Sequence, residues 1–230
     1  MFFLCLWVSC SAQVQGSLHS EGSADLILKA SLEPRAAALI DSLSRLGGGV
    51  ASTPALDAQA ISRSMSAAPG ITALTLRNPN PTTLEGTIAL LRADAFLAIP
   101  EKAGNTFIRY EQAPKNGGGK LRILLDRSSG PELLMLLSPE VRDYLSALMA
   151  PVATGETLTQ KEYLALVQSV YGKGLAEEIA SAKITLTIDF PGTISVIQGG
   201  KATKNRGVFT IPLGDLLVLE RPLRYEVAWQ

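Results

Sequence analysis

From Gln15 to Leu32 apolar and polar residues alternate, with Leu18, Ala24, Leu26, Leu28 and Ala30 on one side of an extended chain. That period of two is the mark of a half-buried strand, and it predicts one long strand with a bend at Gly22. Pro34 then opens a helix to Leu46, with Ala38, Leu39, Leu43 and Leu46 on one face and Gly47-Gly48-Gly49 as its stop. Weaker helical spacing follows from Leu56 to Ala68. Pro69-Gly70 turns the chain into a strand from Ile71 to Arg77, and Asn78-Pro79-Asn80-Pro81 turns it back into Leu84 to Leu91 as the antiparallel partner.

Phe107 to Gln112 and Leu121 to Asp126 bracket Lys115-Asn116-Gly117-Gly118-Gly119, the turn chemistry of a hairpin. The next stretch is helical. Ser138-Pro139-Glu140 reads as a cap followed by proline at the first position, and Val141, Leu145, Leu148 and Met149 form its apolar stripe. Thr159-Gln160-Lys161-Glu162 is a capping box for a second helix, on which Tyr163, Leu166, Val167, Val170 and Tyr171 recur at helical spacing. A short helix follows Gly172 and Gly174. The last third alternates again at Lys183 to Phe190, Thr193 to Gln198, Arg206 to Ile211 and Leu223 to Trp229, with a short helical turn or buried connection at Pro212 to Leu219. Helices and strands in these blocks predict an α+β fold over residues 13–230: a mainly antiparallel sheet of about eight or nine strands with helices packed on it.

A chain of 230 residues that is 47% hydrophobic and 18% charged can build a core without disulfides or a structural metal. Lysine plus arginine and aspartate plus glutamate both number 21, so no net field gathers nucleic acid. Lys201, Lys204 and Arg206 are read as a solvated hairpin tip.

The first ten residues, MFFLCLWVSC, are apolar and uncharged, too short to span a bilayer and matched to the hydrophobic region of an export signal. Trp7-Val8-Ser9-Cys10 resembles a lipobox, which implies lipidation at Cys10 and a membrane anchor. Cleavage after Ala12 as an ordinary signal is the alternative, and residues 1–12 are read as the segment concerned. No cysteine follows Cys10, so both readings leave the domain without thiol chemistry.

The C-terminal segment, with Phe190-Pro191-Gly192 between two strands and Trp229 ending the last, resembles LppM-like lipoprotein domains of unknown function over residues 150–230. With MAPVATGETLTQKEYLALVQSVYG ahead of it, it is also similar to spirochaete lipoproteins. The resemblance implies a fold and an envelope address and brings no catalytic residues. Only Gln230 follows Trp229, so anchoring is expected to rest on Cys10.

Candidate chemistry is sparse. His19 is the sole histidine, read as an exposed strand residue. Glu177-Glu178 and Glu156 with Glu162 are read as helix surface or caps, although two carboxylates across a cleft could serve a hydrolase. The glycine clusters lack the lysine and hydroxyl of a phosphate loop. Tyr163, Tyr171, Tyr225 and Trp229 could line an apolar pocket, with core packing as their other role. The expectation is a noncatalytic, membrane-tethered envelope domain, without cofactor or metal, that binds a lipid-like ligand or an envelope protein. An exported carboxylate hydrolase is the alternative.

Overall fold

The alternation that predicts one long strand belongs to a hairpin. In the structure, a computed structural model that describes residues 10–46, 56–66, 68–97, 107–112, 118–135 and 139–230, β1 (Cys10–Leu18) and β2 (Ala24–Leu32) pair antiparallel from Cys10 opposite Leu32 to Leu18 opposite Ala24. His19 N–H donates to the Ser23 carbonyl at 2.8 Å and Gly22 N–H to that of His19 at 2.9 Å, closing the turn. Residues 19–23 are odd in number, so inward positions are even on both strands, and the pattern crosses the turn without a break. The strand also starts earlier than expected. A boundary after residue 12 would cut β1, where Ala12 and Val14 are each only 1% exposed. Small residues that read as the tail of a signal are here the inner face of a central strand.

Among the described residues eleven strands form two sheets, where a single sheet of eight or nine was expected. The larger runs β3 (Ile71–Asn80), β4 (Thr83–Leu90), β2, β1, β7 (Lys183–Asp189), β10 (Arg206–Pro212), β9 (Gly200–Thr203). The smaller runs β5 (Ile108–Gln112), β6 (Gly119–Leu125), β11 (Leu223–Trp229), β8 (Ile194–Gln198). Pairing is antiparallel except where β1 lies parallel to β7, with Ala12 opposite Ile184 and Gly16 opposite Ile188. The sequence reading treats Gly199-Gly200 as a break. Instead the chain swaps sheets there, β8 ending in the smaller and β9 beginning in the larger. Gly199 takes φ 75°, and a Cβ on it would lie 2.4 Å from the Arg224 carbonyl oxygen, so the corner needs glycine.

The Asn78 to Pro81 turn is shorter than predicted, because β3 continues to Asn80. Asn78 is held there by its side chain, which accepts from Ala58 N–H at 3.0 Å and donates to the Leu56 and Thr83 carbonyls. These bonds tie the helix Ala58–Met65 to the sheet edge.

The helices Pro34–Leu46, Gln160–Tyr171, Lys173–Ser181 and Leu213–Val218 gather where β7 begins and β10 ends. The first buries Ala36 and Ile40 and leaves Ala38 exposed, so its inner face is rotated from the one expected. Its first turn is capped from a distance: Glu178 accepts from Arg35 N–H at 3.0 Å and from Ala36 N–H at 2.9 Å. The predicted capping box is present, Thr159 accepting from Glu162 N–H and Glu162 from Thr159 N–H. The helix expected after Ser138 runs Pro139–Ala147. Ser138, Gly47 to Gly49 and Gly117 lie outside the described residues. Buried side chains from both sheets and the helices form one contiguous core.

Candidate functional site

Two sheets facing each other bring their alternate residues together. The larger presents Leu26, Leu186, Ile188 and Phe209; the smaller presents Ile123 and Val227. Between them lies a cavity of about 180 Å³. Space left unfilled between apolar walls leaves them without partner atoms, which costs stability in proportion to the volume unoccupied. The cavity also exceeds more than tenfold the ~10–15 Å³ that admits one water. Its lining is almost wholly apolar. Water is therefore a poor occupant, and a hydrocarbon surface recovers contacts that the walls lack.

The end of the cavity where β7 and β11 finish is walled by aromatic rings. There Phe190 and Trp229 stand 4.7 Å apart and Tyr110 and Trp229 6.2 Å, while farther along the cavity Phe209 meets Tyr225 edge-on at 6.2 Å. Trp229 lies over Gly119, where a Cβ would sit 2.4 Å from the indole ring, so the approach depends on the missing side chain. Residues 150–230 thus carry four of these rings, Phe190, Phe209, Tyr225 and Trp229. Aliphatic side chains and the short helix Ala93–Leu97 line the side formed by Leu18, Leu90 and Leu97.

Of the four aromatics proposed for an apolar pocket, the structure brings Tyr225 and Trp229 to this cavity and leaves Tyr163 and Tyr171 away from it. The latter two lie on the helix Gln160–Tyr171 and donate their hydroxyls to the carbonyls of Leu148, at 3.4 Å, and Ala147. They satisfy the end of the helix Pro139–Ala147, whose last carbonyls have no partner within the helix. Burial pushes the Tyr163 phenol far up, followed by the influence of Tyr171, so it stays protonated. Burial, with Asp215 second, raises Tyr225 as well, and its hydroxyl donates to the Thr210 carbonyl at 3.4 Å.

Sequence reasoning missed Tyr110, Phe96, Phe107, Phe190 and Phe209. Alternation places each strand residue on a face, but which faces meet across a gap is set by pairings far apart in sequence.

The carboxylates considered for hydrolysis are dispersed. Glu178 caps the helix Pro34–Leu46, Glu177 pairs with Lys173 at 3.2 Å, and Glu162 closes its capping box. Glu156 borders a separate crevice near Arg127, Pro151 and Leu219. His19 follows β1 in the turn, its Nε2 3.1 Å from Asp25 Oδ2. Arg206 forms a two-pronged bond to Asp189 at 2.7 and 2.8 Å, and Lys201 and Lys204 are exposed around the β9–β10 hairpin. Cys10 is the first residue of β1, opposite Leu32.

Neither a family model nor a curated protein sequence matches this chain. Among solved structures it is similar to the folded domain of the Mycobacterium tuberculosis LppM protein, determined by NMR. The alignment covers 96% of this chain and 90% of that one, at 10% identity and a TM-score of 0.40. Similarity at that level fixes neither topology nor site.

Proposed function

We propose that this chain is an exported lipoprotein of the bacterial envelope, tethered through Cys10, whose domain holds an apolar, lipid-like ligand without acting on it chemically. The cavity between the sheets carries this reading: an apolar space of about 180 Å³ that the described side chains leave unfilled. An envelope protein as partner would call for a contiguous exposed apolar patch. Among the described residues the exposed large hydrophobics, Ile27, Leu91, Leu124, Val170 and Val196, belong instead to separate segments.

The pairing of β1 from Cys10 onward is compatible with the tether. Processing at Cys10 keeps the whole strand, whereas cleavage after Ala12 removes the pairs Cys10–Leu32, Ser11–Ser31 and Ala12–Ala30 from the sheet. Acyl chains on Cys10 would anchor the domain at about 0.8 kcal/mol per buried methylene, ample when two or more chains are present.

Two measurements test the halves separately. Full-length protein made in a bacterial host should gain acyl mass and partition into detergent, and a Cys10→Ala variant should not; an unacylated wild type refutes the tether. Diphenylhexatriene, a hydrocarbon that fluoresces out of water, should bind the domain saturably, and Ile188→Trp, which fills the cavity, should abolish the signal while the protein stays folded. Equal signals from both place the dye elsewhere and end the cavity reading.

A further inference from the structure

The chain's neutrality hides a separation of charge. Residues 126–181, a stretch of helices, hold eight carboxylates against four cations, so the rest of the chain is basic by the same margin. Part of that excess lies on the outer face of the smaller sheet. Alternation turns Ile123 and Val227 to the cavity and Arg122, Leu124, Arg224 and Glu226 away from it. Register sets Arg109 opposite Arg122 and Arg122 opposite Glu226, with Lys120 opposite Glu111 two residues along. Glu226 is shared between Lys120 at 2.7 Å and Arg122 at 2.8 Å. Arg109 and Arg224 are exposed, and no described carboxylate pairs with either. Among the described residues the face thus carries four cations and two carboxylates. Like charges directly opposite, as at Arg109 and Arg122, destabilise a bare sheet, and an anionic surface laid on the face removes that repulsion.

The same face carries two large apolar side chains in water, Leu124 at 38% exposure and Val196 at 48%. Leu124 lies opposite Arg224, and Val196 opposite Ala228, whose other neighbour is Lys120. They stand apart from each other among the cations. A four-stranded sheet spreads these groups over a broad surface rather than gathering them in a pocket. That arrangement fits the plane of an anionic bilayer, whose phosphates take the cations and whose interfacial region takes the apolar side chains. A soluble polyanion offers nothing to Leu124 and Val196.

Going beyond the ligand and the tether proposed above, we propose that the outer face of the smaller sheet docks on an anionic lipid surface. Arg109, Lys120, Arg122 and Arg224 meet the headgroups, and Leu124 and Val196 enter the interface. A neutral chain gathers no lipid from afar, but within a Debye length, about 10 Å at 0.1 M salt, the local excess acts and the acidic helical stretch turns away from the same surface.

The test is cosedimentation of the full-length Cys10→Ala chain, which has no acyl anchor, with phosphatidylcholine vesicles that contain or lack phosphatidylglycerol. Phosphatidylglycerol should raise the affinity about twentyfold at 0.1 M salt, near fivefold for each unpaired cation, and the gain should vanish near about 1 M. Arg109→Gln together with Arg224→Gln should lose most of the gain at an unchanged thermal midpoint. Lys201→Gln together with Lys204→Gln removes equal charge from the β9–β10 hairpin and should keep it. A reading free of these substitutions comes from spin-labelled lipid in the phosphatidylglycerol bilayer, which should broaden the methyl signals of Leu124 and Val196 before that of Ile27 on the outer face of the larger sheet. No gain from phosphatidylglycerol overturns the proposal, as do equal losses in the two double variants or broadening led by Ile27. The cavity and the acyl anchor take no part in any of these outcomes, so their failure is read separately.

Discussion

At the scale of single residues, carboxylates in this protein act on backbone and cations rather than on each other. Glu178 closes the start of a helix 142 residues away in sequence, and Glu220 does the same for the helix Gln160–Tyr171, accepting from Gln160 N–H at 2.9 Å. Thr159→Ala should lower unfolding stability by about 1 kcal/mol, read as a shift of the urea midpoint. The capping box is legible because its partners are three residues apart; the reach of Glu178 and Glu220 is not, since it depends on tertiary folding. Acid should weaken the molecule through ion pairs. Arg206 lowers the Asp189 pKa, Lys120 and then Arg122 lower that of Glu226, and Lys29 lowers that of Glu85. A carboxylate with a depressed folded pKa adds stability above its unfolded pKa, near about 4, and loses it as pH falls through the folded value. Urea midpoints should therefore change little through these groups between pH 7 and 5 and fall below about pH 4. Arg206→Gln should flatten part of that fall; an unchanged profile would remove the Asp189 pair from the explanation.

At the scale of elements, β1 decides the architecture. It is paired on both sides, antiparallel to β2 and parallel to β7, so the N-terminal hairpin sits in the middle of the larger sheet although it comes first in sequence. A chain beginning at Cys10 should have the thermal midpoint of a longer one, and a chain beginning at Gln13 should melt several degrees lower, because it loses buried Ala12 and its pair with Ile184. Equal midpoints would show that the first three residues of β1 add nothing. Most strands were readable from alternation, including β7, β10 and β11. What escaped was of two kinds: turns that preserve parity, as between β1 and β2, and the short β9, hidden behind the glycine corner that carries the chain from one sheet to the other. Short helices such as Ala93–Leu97 carry too few turns to show a period.

At the scale of the whole molecule, the sheets meet through apolar faces yet do not fill the space between them, and this sets the function proposed. Tyr225 and Trp229 were readable as pocket candidates because they fall on the apolar face of an alternating strand; Tyr163 and Tyr171 shared the residue type but belong to the helical end, where they bond carbonyls. An unfilled cavity also predicts a gain on filling. Ile188→Phe should raise the urea midpoint of the ligand-free protein while weakening hydrocarbon binding, and a lowered midpoint would mean that the space is already packed. The most direct test of the central claim is a methyl NMR titration with monolauroylglycerol. The account predicts saturable shifts at Leu186, Ile188, Ile123 and Val227, with Val167 and Ile179 in the helices and Ile27 on the outer face unmoved. Shifts confined to Ile27 or the helices, or none at ligand excess, would contradict it.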